Sequence, residues 1–566
     1  MADYSLKINL HQRKLTVSNK TAEEWFHRGL NWLFAFHHEE AINCFETCIT
    51  LDGNCLLAYW GIAYANSPNY NFHKDVGYYV VSSQEGGFPC QKKAVGALNT
   101  AMLLMQGDCH YTAEECALLN ALRLRFSTFP PSPYAHTLEI AYKNAMEEVY
   151  SQYPLDSEVA FALADAIMVL RPWQLWDIKT GEMTTEAHEA KTILEDGLRR
   201  WPDHPGLCHL YVHLMEMSPT PELAIPGPCT ILRNLDTDAG HLIHMASHID
   251  VLVGDYKSAV DANKRALDAD DRCIQHGKGG SAGSFYLGYI SHDCHMLVYA
   301  AMLGGMEEEA RMAAERMLTY INEDTLVKNP ERILYQEPFV PQTVHVLLRF
   351  GRWKEILQLP FPKSQSLMAY TWATLLYARS IAFAVLGKIQ EALEEEAKYL
   401  AACKHKEIPR RRLHNNLVSD LLEVKRHMLR GEIEYRQQNY VIAFGNLRKA
   451  VGLEDALPYD EPWGIMQPCR HALGALLLEQ GHIDEALDVY NKDLMPGRHP
   501  GNPWSLRGVI SCLQRKVSSD TGNLQETKRE LAHRQSQLEN QQKRMGISLN
   551  YITHSCMCAG QKSAQL

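Results

Sequence analysis

Long hydrophobic runs are missing from this sequence. No stretch of about 18 uncharged apolar residues occurs, so no membrane-spanning helix is predicted. The opening MADYSLKINLHQRK lacks the apolar core of a secretory signal. A dense disulfide framework is also absent, because the 15 cysteines are scattered through apolar, helix-like segments. These features point to a reducing, cytoplasmic setting. Long basic runs are lacking as well. With a formal net charge of −11, the chain is expected to take neither nucleic acid nor an anionic membrane surface as its main partner, since both call for concentrated Lys and Arg. Strand-like alternation between turn pairs is scarce.

What is present is helical periodicity on a large apolar reserve, 46% of 566 residues. Small residues recur within it at a fixed separation. Gly29 is followed twelve residues later by Ala41 and then by Phe45; Gly474 leads to Ala486 and Tyr490 by the same steps. Ser247 pairs in this way with Ala259, Gly431 with Ala443 and Leu447, Val298 with Ala310, and Ser380 with Ala392. Such spacing lets two antiparallel helices approach closely across a short turn. Gly254, Gly305, Gly387 and Gly481 stand where the first helix of a pair must end. The pattern resembles the tetratricopeptide repeat, a helical hairpin of about 34 residues.

An all-α fold follows, an α-solenoid of tetratricopeptide-like hairpins over residues 21–515, with degenerate repeats around 66–200 and 320–370. Residues 1–20 form an N-terminal extension. Residues 516–566 form a C-terminal region whose stretch 524–545 reads as a charged, solvated helix with too few apolar positions for a coiled coil.

The stretch HLIHMASHID carries His241, His244 and His248 at spacings of three and four, which share one helix face. His292 and His295 in SHDCHMLVYAA share a face, as do His209, His213 and Glu216 in HLYVHLME. Registered on the small positions of the repeat, these residues fall on first-helix sites that line the concave groove in proteins with this repeat. Imidazoles with a carboxylate are a ligand set for copper, iron or zinc. Eight candidates exceed one ion's needs. Either two metals bind, or some histidines act as acid–base or supporting groups. Asp250 and Asp293 are near enough in sequence to orient imidazole N–H groups. A buried hydrogen-bonded histidine network is the plain alternative.

The segments AYWGIAYANSPNYN, LRPWQLWD, HLYVHLMEMS, AGHLIHMASHIDVLVGDY, SHDCHMLVYAAML and YDEPWGIMQPCRHALGALLLEQG together resemble a little-characterised group of tetratricopeptide-repeat proteins from bacteria and fungi, over residues 22 to 515. The resemblance implies the same solenoid and a histidine-lined centre. It supplies no reaction.

Around this centre stand candidate substrate contacts. Asn69 and Tyr70 break the second repeat, as a turn or as a contact loop. Arg171 and Trp173 flank a helix break, as a packed corner or as a wall of the site. Glu461 and Arg470 enter a late helix, where Arg470 suits a substrate carboxylate or Glu461 itself. GGSAG, with Ser281, matches a nucleophile motif formally but lacks the strand it needs. His554, Cys556 and Cys558 in the tail form a weak soft-metal motif.

The expected function is therefore a metal-dependent oxidoreductase or hydrolase acting on a small molecule in the groove, with Glu216 as ligand or general base. The alternative is a non-catalytic scaffold whose groove takes a peptide or protein partner.

Overall fold

Gly29, Phe45 and Gly61 show why the repeat folds as it does. The ring of Phe45 lies against both glycines, and a Cβ at either would sit 2.5–2.6 Å from it. An aromatic on the second helix of one hairpin thus fills the gap left by a glycine on its own first helix and by a glycine on the next hairpin. Late in the chain Tyr490 does the same between Gly474 and Gly508.

A computed structural model describes residues 4–71, 89–107, 110–126, 135–277, 284–519 and 524–548. The Ser281 motif and the His554, Cys556 and Cys558 motif lie outside these residues. The regular elements among the described residues are helices, apart from the antiparallel pair Arg412–Leu413 and Asn416–Leu417 and one isolated bridge between Trp176 and Met183. None of their helices is long and apolar enough to cross a membrane.

Two compact units make up the chain, one of residues 1–249 and 264–290, the other of residues 250–263 and 291–566. In the first, Lys20–Phe34 and His38–Leu51 make a hairpin followed by Leu56–Ala65. Asn19 caps its start by accepting from the Thr21 N–H at 2.8 Å. Further on, Ser157–Met168 packs on Thr185–Arg200, and Pro205–Met215 is followed by a short π-helix, Ile225–Cys229, which contains Pro228.

The extension before residue 20 is stitched down by carboxylates. The Lys7 amide donates to Asp238 at 2.7 Å, Arg13 pairs with Asp156 and Glu158, and the Thr16 and Ser18 amides donate to Glu115 and Asp52 at 2.6 Å.

In the second unit the regular hairpins are Ala369–Val385 with Ile389–Ala402, Val418–Arg436 with Tyr440–Glu454, and Cys469–Glu479 with Ile483–Asp493. The expected degenerate stretch appears as short helices, among them Glu323–Lys328, Gln342–Arg349 and Trp353–Gln358. Gly254, Gly305, Gly387 and Gly481 end first helices with φ of 76–82°, a left-handed conformation that suits glycine. Leu524–Met545 is a helix mostly open to solvent, which buries Leu538 and Met545 and rests on Pro503–Ser518.

Candidate metal centre

The first unit gathers six of the eight residues singled out from the sequence: His209 and His213 on Pro205–Met215, Glu216 at the end of that helix, His241 and His244 on Gly240–His244, and His248 on Ala246–Val253. All are wholly buried. Buried to this degree, they do not line an open groove wall.

His209, His213 and His241 each offer one ligand atom, and the three atoms lie within 4.8 Å of one another. Their ring centroids stand 5.0 Å apart for His209 and His213 and 5.2 Å apart for His209 and His241.

The outer nitrogens fix the tautomers. Nδ1 of His209 faces the carbonyl oxygen of Phe34 at 2.7 Å, an acceptor that the helix end leaves without a helical partner. Nδ1 of His213 lies 3.0 Å from Glu216 Oε1, and Nδ1 of His248 lies 2.6 Å from Glu216 Oε2. Carbonyl and carboxylate oxygens only accept, so Nδ1 carries the proton in all three rings and the lone pair sits on Nε2. This is how proteins orient imidazoles that bind metals.

Nε2 of His244 is 2.7 Å from Nε2 of His248. His241 is held neutral: burial and the neighbouring charges of His209, His244, His213 and His248 push its pKa far below the ordinary histidine value.

Aromatic rings close the site. Phe36 lies 4.3 Å from His209, Tyr70 lies 5.0 Å from His213, and Tyr289 lies 4.5 Å from His241, measured between ring centroids. Phe36 has φ of 57°, the left-handed conformation that other hairpins give to glycine. Tolerating that strain at a hairpin turn aims the phenyl ring at the histidines.

No protein-family model matches the sequence. No curated protein matches it either. Among solved structures the chain is similar to the human IFIT1 dimer with m7Gppp-AAAA, at 11% identity over 94% of this chain and 96% of that one, with a TM-score of 0.33. It is also similar to yeast Tom70, at 14% identity over 88% and 90%, with a TM-score of 0.29. Scores this low carry nothing beyond the helical fold already seen.

The remaining sequence candidates have the following places. Asn69 and Tyr70 are buried in the first unit beside the cluster, and the Tyr70 hydroxyl accepts from the Trp173 N–H at 3.1 Å. Arg171 is at the surface, paired with Glu186 at 2.8 Å.

His292, His295, Asp250, Asp293, Glu461 and Arg470 belong to the second unit. Arg470 grips Asp455 with two nitrogens, at 2.8 and 2.6 Å, and so holds a carboxylate other than Glu461. His292 and His295 pack around His414, at 5.0 and 5.6 Å between centroids. Nδ1 of His295 lies 3.4 Å from Nε2 of His414, and Nε2 of His295 lies 3.0 Å from Sδ of Met466.

Sequence reasoning missed Phe36, His414 and Met466. Phe36 carried a readable signal, a hairpin turn without glycine ahead of two histidines. His414 and Met466 carried none, because each stands alone in its segment.

Proposed function

We propose that the first unit binds one transition-metal ion on His209, His213 and His241 and is a metal-dependent enzyme for a small molecule. The convergence of three ligand nitrogens, two of them with their outer nitrogens tied to Phe34 and Glu216, carries this reading. Bonds of about 2.0–2.1 Å set ligand nitrogens roughly 3.3 Å apart around a tetrahedral ion, which modest ring rotations reach. Three imidazoles suit zinc, iron or copper and leave a position for substrate or water.

When bound, the ion supplies Lewis-acid or redox chemistry for a hydrolytic or oxidative reaction. The chain's own part is orientation and exclusion of water. Both oxygens of Glu216 accept from imidazole N–H groups, so Glu216 positions His213 and His248 in place of the general-base role its sequence position first suggested. Phe36, Tyr70 and Tyr289 wall the site and offer ring faces to a bound molecule.

Elemental analysis of the full chain, as purified and after reconstitution, tests the proposal. About one equivalent of metal is expected. It should be lost in His209→Ala and His213→Ala with the helical circular dichroism retained. Wild-type protein that takes up no metal overturns the reading and leaves a repeat scaffold.

A further inference from the structure

The second unit holds a ligand set of a different kind. His295 is on Leu287–Gly304, and its Nε2 lies 3.0 Å from the thioether sulfur of Met466. Both residues are buried. A thioether is a poor hydrogen-bond acceptor, so a contact this close calls for another account. On the far side of the ring, Nδ1 of His295 faces Nε2 of His414 at 3.4 Å. With the His295 proton on Nδ1, the Nε2 lone pair and the sulfur lone pairs point at one another. Two ligands of one ion face each other in this way: with bonds of about 2.0–2.1 Å to nitrogen and about 2.3 Å to sulfur, a tetrahedral or trigonal ion sets the two atoms about 3.6–3.8 Å apart, a separation reached by opening the present contact by about 0.6–0.8 Å.

His345, on Gln342–Arg349, adds a second observation. It is 2% exposed, and no group among the described residues hydrogen-bonds its Nδ1. The Gln467 amide donates to the His345 carbonyl at 2.8 Å, which fastens the residue next to Met466 onto the His345 backbone. Phe339 covers His295 edge-on at 5.5 Å.

We propose that His295, Met466 and His345 form a second metal site, selective for monovalent copper. Soft thioether sulfur with neutral imidazole in an apolar, buried setting selects Cu(I) over zinc and over harder divalent ions. The site uses none of the ligands of the first unit, so the two readings stand or fall separately.

The test is copper K-edge absorption on selenomethionine-labelled full-length protein loaded with Cu(I) under reducing conditions, alongside competition with a chromophoric Cu(I) chelator. Selenium marks a methionine ligand unambiguously against the cysteines. The expected result is a selenium neighbour on copper that disappears in Met466→Leu, a change that keeps shape and removes the donor atom. His345→Asn should weaken Cu(I) binding by at least tenfold. His213→Ala should leave the selenium signal in place. Copper without a selenium neighbour in the wild type, or a selenium neighbour that survives Met466→Leu, overturns the proposal.

Discussion

His213 of the first unit and His471 of the second are both buried imidazoles facing a carboxylate. His213 gives its Nδ1 proton to Glu216 and turns Nε2 toward other histidines. His471 has both nitrogens committed: Nε2 is 2.8 Å from Asp493, and Nδ1 is 2.9 Å from an Arg349 guanidinium nitrogen that can only donate. Asp493 also accepts from His499, Asn502 and Ser505. On the proposed reading the first cluster binds an ion; the second cross-links its helices through Asp493. Histidine density and burial do not separate them. The direction of the second nitrogen does.

The comparison breaks most visibly at the ligands. His209→Ala should abolish metal uptake in the first unit, whereas His471→Gln should leave metal content unchanged by elemental analysis. Next in size is Asp493→Ala, which strands the buried groups of the second cluster and should cost about 3–5 kcal/mol in urea unfolding.

A pH series sharpens the contrast. Burial pushes His471 down to about 4 from 6.5, so on acidification the unfolded chain binds the proton first. Stability should therefore fall between pH 6.5 and about 4, by at most about 1.4 kcal/mol per pH unit, and this component should vanish in His471→Gln.

Glu216→Gln should lower metal affinity by about 10–100-fold with unchanged stoichiometry at saturation, because it removes an orienting carboxylate and no ligand.

The smallest effect concerns two turns. Gln438, with φ of 66°, is exposed, and Gln438→Gly should raise stability by up to about 1 kcal/mol. Phe36→Gly relieves the same strain but removes a buried ring worth about 1.5–3 kcal/mol. It should destabilise the first unit and speed metal exchange.

Much of the fold was readable because it follows from short-range steric rules. Gly29 with Phe45 and Gly474 with Tyr490 announce close helix contacts wherever they occur. Left-handed glycines announce helix ends. The shared helix faces of His209 with His213 and of His241, His244 and His248 were equally plain. Where each second nitrogen points was not, because that depends on Phe34 and Glu216, brought up by packing. Arg470 illustrates the limit: its charge invited a carboxylate partner, and the fold supplied Asp455. Met466 and His414 are single residues whose meaning comes only from what they touch.

Local chemistry along the chain was enough to specify helices, their pairing and the faces that carry imidazoles, since these depend on neighbours a few residues apart. Packing alone chose which imidazoles converge, which protons they keep, and that the first cluster is buried. Hydrogen-bond direction and burial depend on groups far apart in the chain, and no pattern of nearby residues encodes them.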